Sequence, residues 1–173
     1  MKRSVGLWQL FGFAVTALLG TLLHFLYDLT GGSPFVAPFS AVNESTFEHM
    51  KILFWPMLLY ALIEGVHFRD RLDFVCIKLR GIVLGLALIP ILFYTYNGAI
   101  GKSPDFVNIA IFFIAAGAAY LVETKALLQP QKPCSRRLAS VILLALALLF
   151  VVFTKNPPHL PLFQDPLTKS YGI

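Results

Sequence analysis

Charge is scarce in this chain. Of its 173 residues only 13% are Asp, Glu, Lys or Arg, against 57% hydrophobic residues. Soluble domains carry about 25% charged residues, so too few are present to cover a water-facing surface. Cysteine is scarcer still, with two residues in the chain. Cys76 and Cys134 lie far apart in the chain with no histidine beside either, which makes a zinc site built on them poor chemistry. Both fall on the side expected to face the cytoplasm, where a structural disulfide is not expected. The chain also lacks a P-loop, G-x-S-x-G, H-E-x-x-H and C-x-x-C, so the enzyme classes those motifs announce are unsupported. No internal repeat is evident, and that argues against the common secondary-transporter architectures.

What is present is apolar residue in long blocks. Mean hydropathy is +0.74. Blocks of about 20 apolar residues suit a hydrocarbon core at 1.5 Å rise per residue. The reading is an all-α integral membrane bundle of five transmembrane helices, in one domain over residues 1–173. The spans are expected near 5–26, 44–67, 75–96, 105–122 and 138–154, with an extramembrane tail at 155–173. Met1-Lys2-Arg3 before an apolar run looks like a signal peptide, but the run is too long and leads into His24, Tyr27 and Asp28 without a small-x-small site. A retained first span is expected.

The net charge of +5 does not call for nucleic acid. With the N-terminus inside, ten of the fourteen Lys and Arg residues fall on the cytoplasmic side, leaving Lys51, Lys102, Lys155 and Lys169 outside. The C-terminus is then outside, and the expected location is a prokaryotic plasma membrane, with the lipid bilayer as the first partner. In the tail, Pro157, Pro158 and Pro161 forbid a helix while Leu160, Leu162 and Phe163 are too apolar for a free linker. Docking on the outer ends of the helices is expected.

Helix-packing signals recur along the chain. Thr16, Gly20, His24 and Asp28 share one helix face, Gly81-x-x-x-Gly85 marks the third span, and residues 115–119 of the fourth are small. Pro56 should leave the carbonyl near Ile52 free.

The polar residues concentrate at the mouth of the second span, Asn43-Glu44-Ser45-Thr46-Phe47-Glu48-His49-Met50-Lys51. Ser45-x-x-Glu48 fits a capping box, and Asn43, Glu44 and Glu48 all suit a helix N-terminus. Capping does not account for His49 and Lys51 one turn deeper. His24, near the outer end of the first span, should lie at a similar depth to His49. Two imidazoles and the Glu48 carboxylate would supply three ligands with a fourth position open, the pattern of catalytic zinc. The proposed ligand set is therefore His24, Glu48 and His49. Tyr27, Asn43, Glu44, Ser45, Lys51 and His159 would support it, under a roof formed by residues 31–40. A divalent transition metal such as zinc, or a small polar ligand, would occupy it; helix capping and hydrogen bonding to loop and tail is the alternative. At the inner side, Glu64-x-x-His67 echoes half of a di-iron helix motif, but one copy is present and pairing of Glu64 with Lys78 or Arg80 is the simpler account. Three functional classes stay open: a small-ligand or metal-binding membrane protein, a membrane-embedded metal-dependent hydrolase, and a carrier or accessory subunit with a membrane-protein partner.

Taken together, His24-Phe25-x-Tyr27, the run Val42-Asn43-Glu44-Ser45-x-x-Glu48-His49-x-Lys51, Pro56 and the ending Pro157-Pro158-His159-x-Pro161-Leu162-Phe163-x-Asp165-Pro166 resemble a family of small prokaryotic membrane proteins with a domain of unknown function. Members of that family often carry tryptophan where Phe47 stands. The resemblance supports the membrane fold and implies no activity.

Overall fold

The computed structural model describes residues 2–173. It folds into five helices, α1 (Lys2–Leu29), α2 (Thr46–His67), α3 (Phe74–Ala99), α4 (Asp105–Leu127) and α5 (Arg136–Lys155), followed by a single 3₁₀ turn, Pro161–Phe163. All five are long and apolar enough to cross a membrane. Among the described residues there is no strand, only an isolated bridge between Gln164 and Tyr171. The fourth helix runs through Glu123 to Leu127, past the expected end near residue 122.

The α2 helix is the most enclosed of the five, packed by α1, α3, α4 and the 3₁₀ turn. Leu53, Phe54 and Met57 are fully buried on it. Small residues set how closely its neighbours approach. Ala115, Ala116 and Ala119 of α4 are wholly buried, and a Cβ at Gly85 of α3 would lie 3.5 Å from Ala119 Cβ and 2.9 Å from Leu53 Cδ2. Close backbone approach of this kind drives helix association in lipid, where apolar burial alone gives no advantage. Pro56 removes the amide that would bond the Ile52 carbonyl. That carbonyl faces Gly20 of α1, 3.1 Å from where a Cβ would stand. On the face predicted for α1, Thr16 bonds the Tyr120 hydroxyl at 2.8 Å and Gly20 packs under Phe112.

The α5 helix is peripheral. It contacts α3, and its last turns reach α2 through Phe150, whose ring centroid lies 5.1 Å from Phe47 and 4.9 Å from Phe54. Leu138, Val141, Leu144 and Leu148 are exposed along it. The tail docks: Phe163 is buried with its ring 4.6 Å from Phe47 and 5.5 Å from Phe153, and the Asn43 amide donates to the Gly172 carbonyl. Leu160 stays exposed.

One expectation is overturned at the end of the bundle where Lys and Arg gather. Cys76 and Cys134 form a disulfide, with Cα atoms 6.4 Å apart. The reason lies in the loop after α4. Arg71 caps α4 by donating to the Leu127 and Gln129 carbonyls at 3.0 Å, and it pairs with Asp73, whose other oxygen accepts from the Lys132 amide. That clamp folds residues 128–135 over the first turn of α3, where Cys76 stands. The contrary expectation rested on assigning both cysteines to the cytoplasmic side, and the geometry pairs them all the same.

Candidate metal and ligand site beside the N-terminus of α2

The site grows from the way α2 begins. Ser45 is extended at the N-cap, and its hydroxyl accepts from the Glu48 amide at 3.4 Å. The other half of the capping box does not form, because the Asn43 side-chain oxygen already takes the Ser45 amide at 2.9 Å. Glu48 instead accepts from the Val42 amide at 3.0 Å and lies 2.5 Å from Lys51 Nζ. Lys51 is fully buried, and its ammonium also donates to the Ala37 carbonyl at 2.8 Å and the Thr154 hydroxyl at 2.9 Å. Glu48 and Lys51 are thus a structural pair joining α2, the 30–45 loop and α5. Both contacts fall on Glu48 Oε2, and Glu48 is not part of the group that the two histidines form.

Glu44 stands in its place. The carboxylate of Glu44 bridges the two rings, with Oε1 at 3.5 Å from His24 Nε2 and Oε2 at 3.7 Å from His49 Nε2. The ring centroids are 5.5 Å apart, and one ligand atom from each of the three residues falls within 4.8 Å of the others. A tetrahedral zinc with bonds of about 2.0–2.1 Å sets its ligand atoms roughly 3.3 Å apart. The two contacts here are made by different Glu44 oxygens, so the carboxylate would turn to offer one of them to an ion between the rings. His49 is also oriented for ligation. Its Nδ1 lies 3.0 Å from the Ser45 carbonyl, which can only accept, so Nδ1 carries the proton and Nε2 presents its lone pair. His24 Nδ1 is buried with no hydrogen-bond partner.

These three residues line a cavity of about 470 Å³. Its walls are largely apolar, with Phe25, Ile52, Phe93 and Phe112 among them. A further polar part of the lining comes from Asn97, Ser103 and Asn108, tied together by hydrogen bonds of 2.8–3.2 Å. Mixed walls of this size and polarity suit a small ligand. The tail contributes Pro166 and Leu167 to the lining, whereas residues 31–40 pack away from it, with the Pro38 carbonyl held by the Trp55 indole.

A model of the family of unknown function DUF6512 matches residues 1–173 of the chain. The chain belongs to that family. No curated protein and no solved structure matches it.

In this DUF6512 member the remaining expected site residues are dispersed. Tyr27 closes the turn after α1, its carbonyl accepting from the Gly32 amide and its amide donating to Ser40. Asn43 and Ser45 are occupied by the cap and the tail as described. His159 is exposed and its ring lies tilted against Tyr171, with centroids 4.6 Å apart. Glu64 and His67 do not act as a pair: His67 stacks on Trp8 at 4.6 Å, while Glu64 is held by Lys78 at 2.8 Å and by the Gln9 amide. Glu123 shares the same Lys78 ammonium. It escaped notice because it sits just past the apolar run of α4. Between this cluster and the cavity the buried residues of α2, α3 and α4 are predominantly apolar, Leu53, Met57, Leu86, Ile89, Phe112 and Ala116 among them.

Proposed function

We propose that this chain is a multi-pass membrane protein of the plasma membrane that holds a divalent transition metal, zinc in the first instance, on His24, Glu44 and His49, and presents its open position to a small polar ligand. The observation that carries the reading is the Glu44 carboxylate set between two imidazole nitrogens at 3.5 and 3.7 Å. These separations are long for hydrogen bonds, and one ligand atom from each of the three residues lies within 4.8 Å of the others. The uneven distribution of Lys and Arg favours the cavity on the outer side, with the C-terminus outside. Hydrolysis is what such a centre supplies when water takes its fourth position, and the size of the cavity beside it favours head groups or small polar molecules as substrates. A carrier is disfavoured by the apolar layer between the outer cavity and Glu64.

The test is metal analysis of protein purified in detergent without chelator. Near one equivalent of zinc or another transition metal is expected, lost in His24→Ala, His49→Ala and Glu44→Gln, with the helices intact by circular dichroism. Wild type free of metal, and unable to take it up on titration, overturns the reading. Orientation is tested separately: a reporter active only outside the cytoplasm should work after Ile173 and fail within residues 129–135.

A further inference from the structure

A second polar centre lies inside the bundle, toward the end rich in Lys and Arg. Lys78 of α3 bonds Glu64 Oε2 of α2 at 2.8 Å and Glu123 Oε2 of α4. All three side chains are at most 1% exposed. The other titratable groups facing them are Tyr60 of α2 and Tyr120 of α4, whose rings lie 5.9 and 5.1 Å from the ammonium. Among the described residues, α1 brings the neutral Gln9 and Thr16 to this cluster. Among the described residues, Lys78 is the one cation bonded to either carboxylate. Fully ionised, the set would carry an uncompensated negative charge on buried side chains. Buried groups resolve that condition by taking up a proton.

The hydrogen bonds indicate where it goes. Both Glu64 oxygens are engaged, Oε1 by the Gln9 amide and Oε2 by Lys78. Glu123 Oε1 is buried with no partner, and so is the acceptor oxygen of Gln9. A proton on Glu123 Oε1 changes an unsatisfied acceptor into a donor within a cluster that has an acceptor to spare. Gly81 on α3 keeps the space, since a Cβ there would collide with the Glu123 carboxyl group.

We infer that Glu64, Lys78 and Glu123 form a proton-binding site that holds one proton at neutral pH, carried by Glu123. The number of bound protons equals the carboxylates minus the cations, which makes the site countable. Infrared spectra of the full-length protein in detergent at pH 7 should contain one carbonyl stretch from a buried protonated carboxyl group. Glu123→Gln should abolish it. Glu64→Gln should abolish it too, because Glu123 is then balanced by Lys78 and ionises. Lys78→Met should double the band; if that variant does not fold, the two glutamine variants decide alone. No band in wild type, or a band that survives both glutamine substitutions, overturns the inference. So does stabilisation by sodium chloride beyond that by choline chloride in wild type but not in Glu123→Gln, since the charge would then be met by a metal cation.

Discussion

Lys51→Met removes the ammonium that holds Glu48, the Ala37 carbonyl and the Thr154 hydroxyl together. The substitution keeps the length of the side chain, so its effect is electrostatic rather than a cavity. It leaves a carboxylate that is 1% exposed with one remaining partner, the Val42 amide. Breaking a buried pair from one side costs about 3–5 kcal/mol. For a chain of this size each kcal/mol moves the melting temperature by about 2–4 °C, so a fall of roughly 6–20 °C is expected in detergent. Glu48→Gln in the same background removes the stranded charge while an amide oxygen can still accept from Val42. The double variant should therefore melt above Lys51→Met, with a coupling of about 1–3 kcal/mol. Circular dichroism melts of the wild type, both single variants and the double variant give the cycle. Effects that add within about 0.5 kcal/mol would mean that the two groups are not paired, and the placement of Glu48 away from the histidines would lose its basis.

That placement is also where reasoning from sequence met its limit. The helices were legible because apolar blocks of spanning length are a strong signal, and so was the approach of His24 to His49, which follows from depth on antiparallel neighbours. The third member was not. Glu44 and Glu48 are both carboxylates near one helix N-terminus, and which of them faces the cavity depends on the Asn43 side chain taking the Ser45 amide. That displaces Glu48 onto Val42 and Lys51. A local turn decided the outcome, and periodicity carries no record of it. The disulfide was discounted on a compartment argument, the cytoplasmic side expected from the Lys and Arg count. That argument carries no information on how Arg71 and Asp73 clamp the loop that brings Cys134 to Cys76. Gly81 could have pointed to Glu123: a glycine at a packed helix face implies something large opposite it.

Three further outcomes are expected. Phe163→Ala should lower stability by about 3 kcal/mol, as its ring is buried against Phe47 and Phe153, whereas Leu160→Ala, at an exposed position, should stay within about 0.5 kcal/mol; equal effects on melting would mean that the tail does not dock as described. Cys76→Ser should lower stability by about 4 kcal/mol given the separation of 58 residues, and reductant should lower the melting temperature of wild type but not of the variant. The third outcome concerns Asp165, which ties the tail to the site. Burial would raise its carboxyl, but the amides of Leu167 and Thr168, the Thr168 hydroxyl and the Glu44 amide outweigh that and hold it below the usual carboxylate range. A carboxylate lowered in the folded state contributes stability that is present above its unfolded value of about 3.9 and is lost as pH falls through the folded one. Wild type should therefore lose stability on acidification below about pH 4 more steeply than Asp165→Asn. The variant should also release the Glu44 backbone and weaken metal uptake at neutral pH, where Asp165 is ionised. Parallel acid limbs for the two proteins would show that Asp165 does not carry the tail, and unchanged metal uptake would separate the tail from the positioning of Glu44.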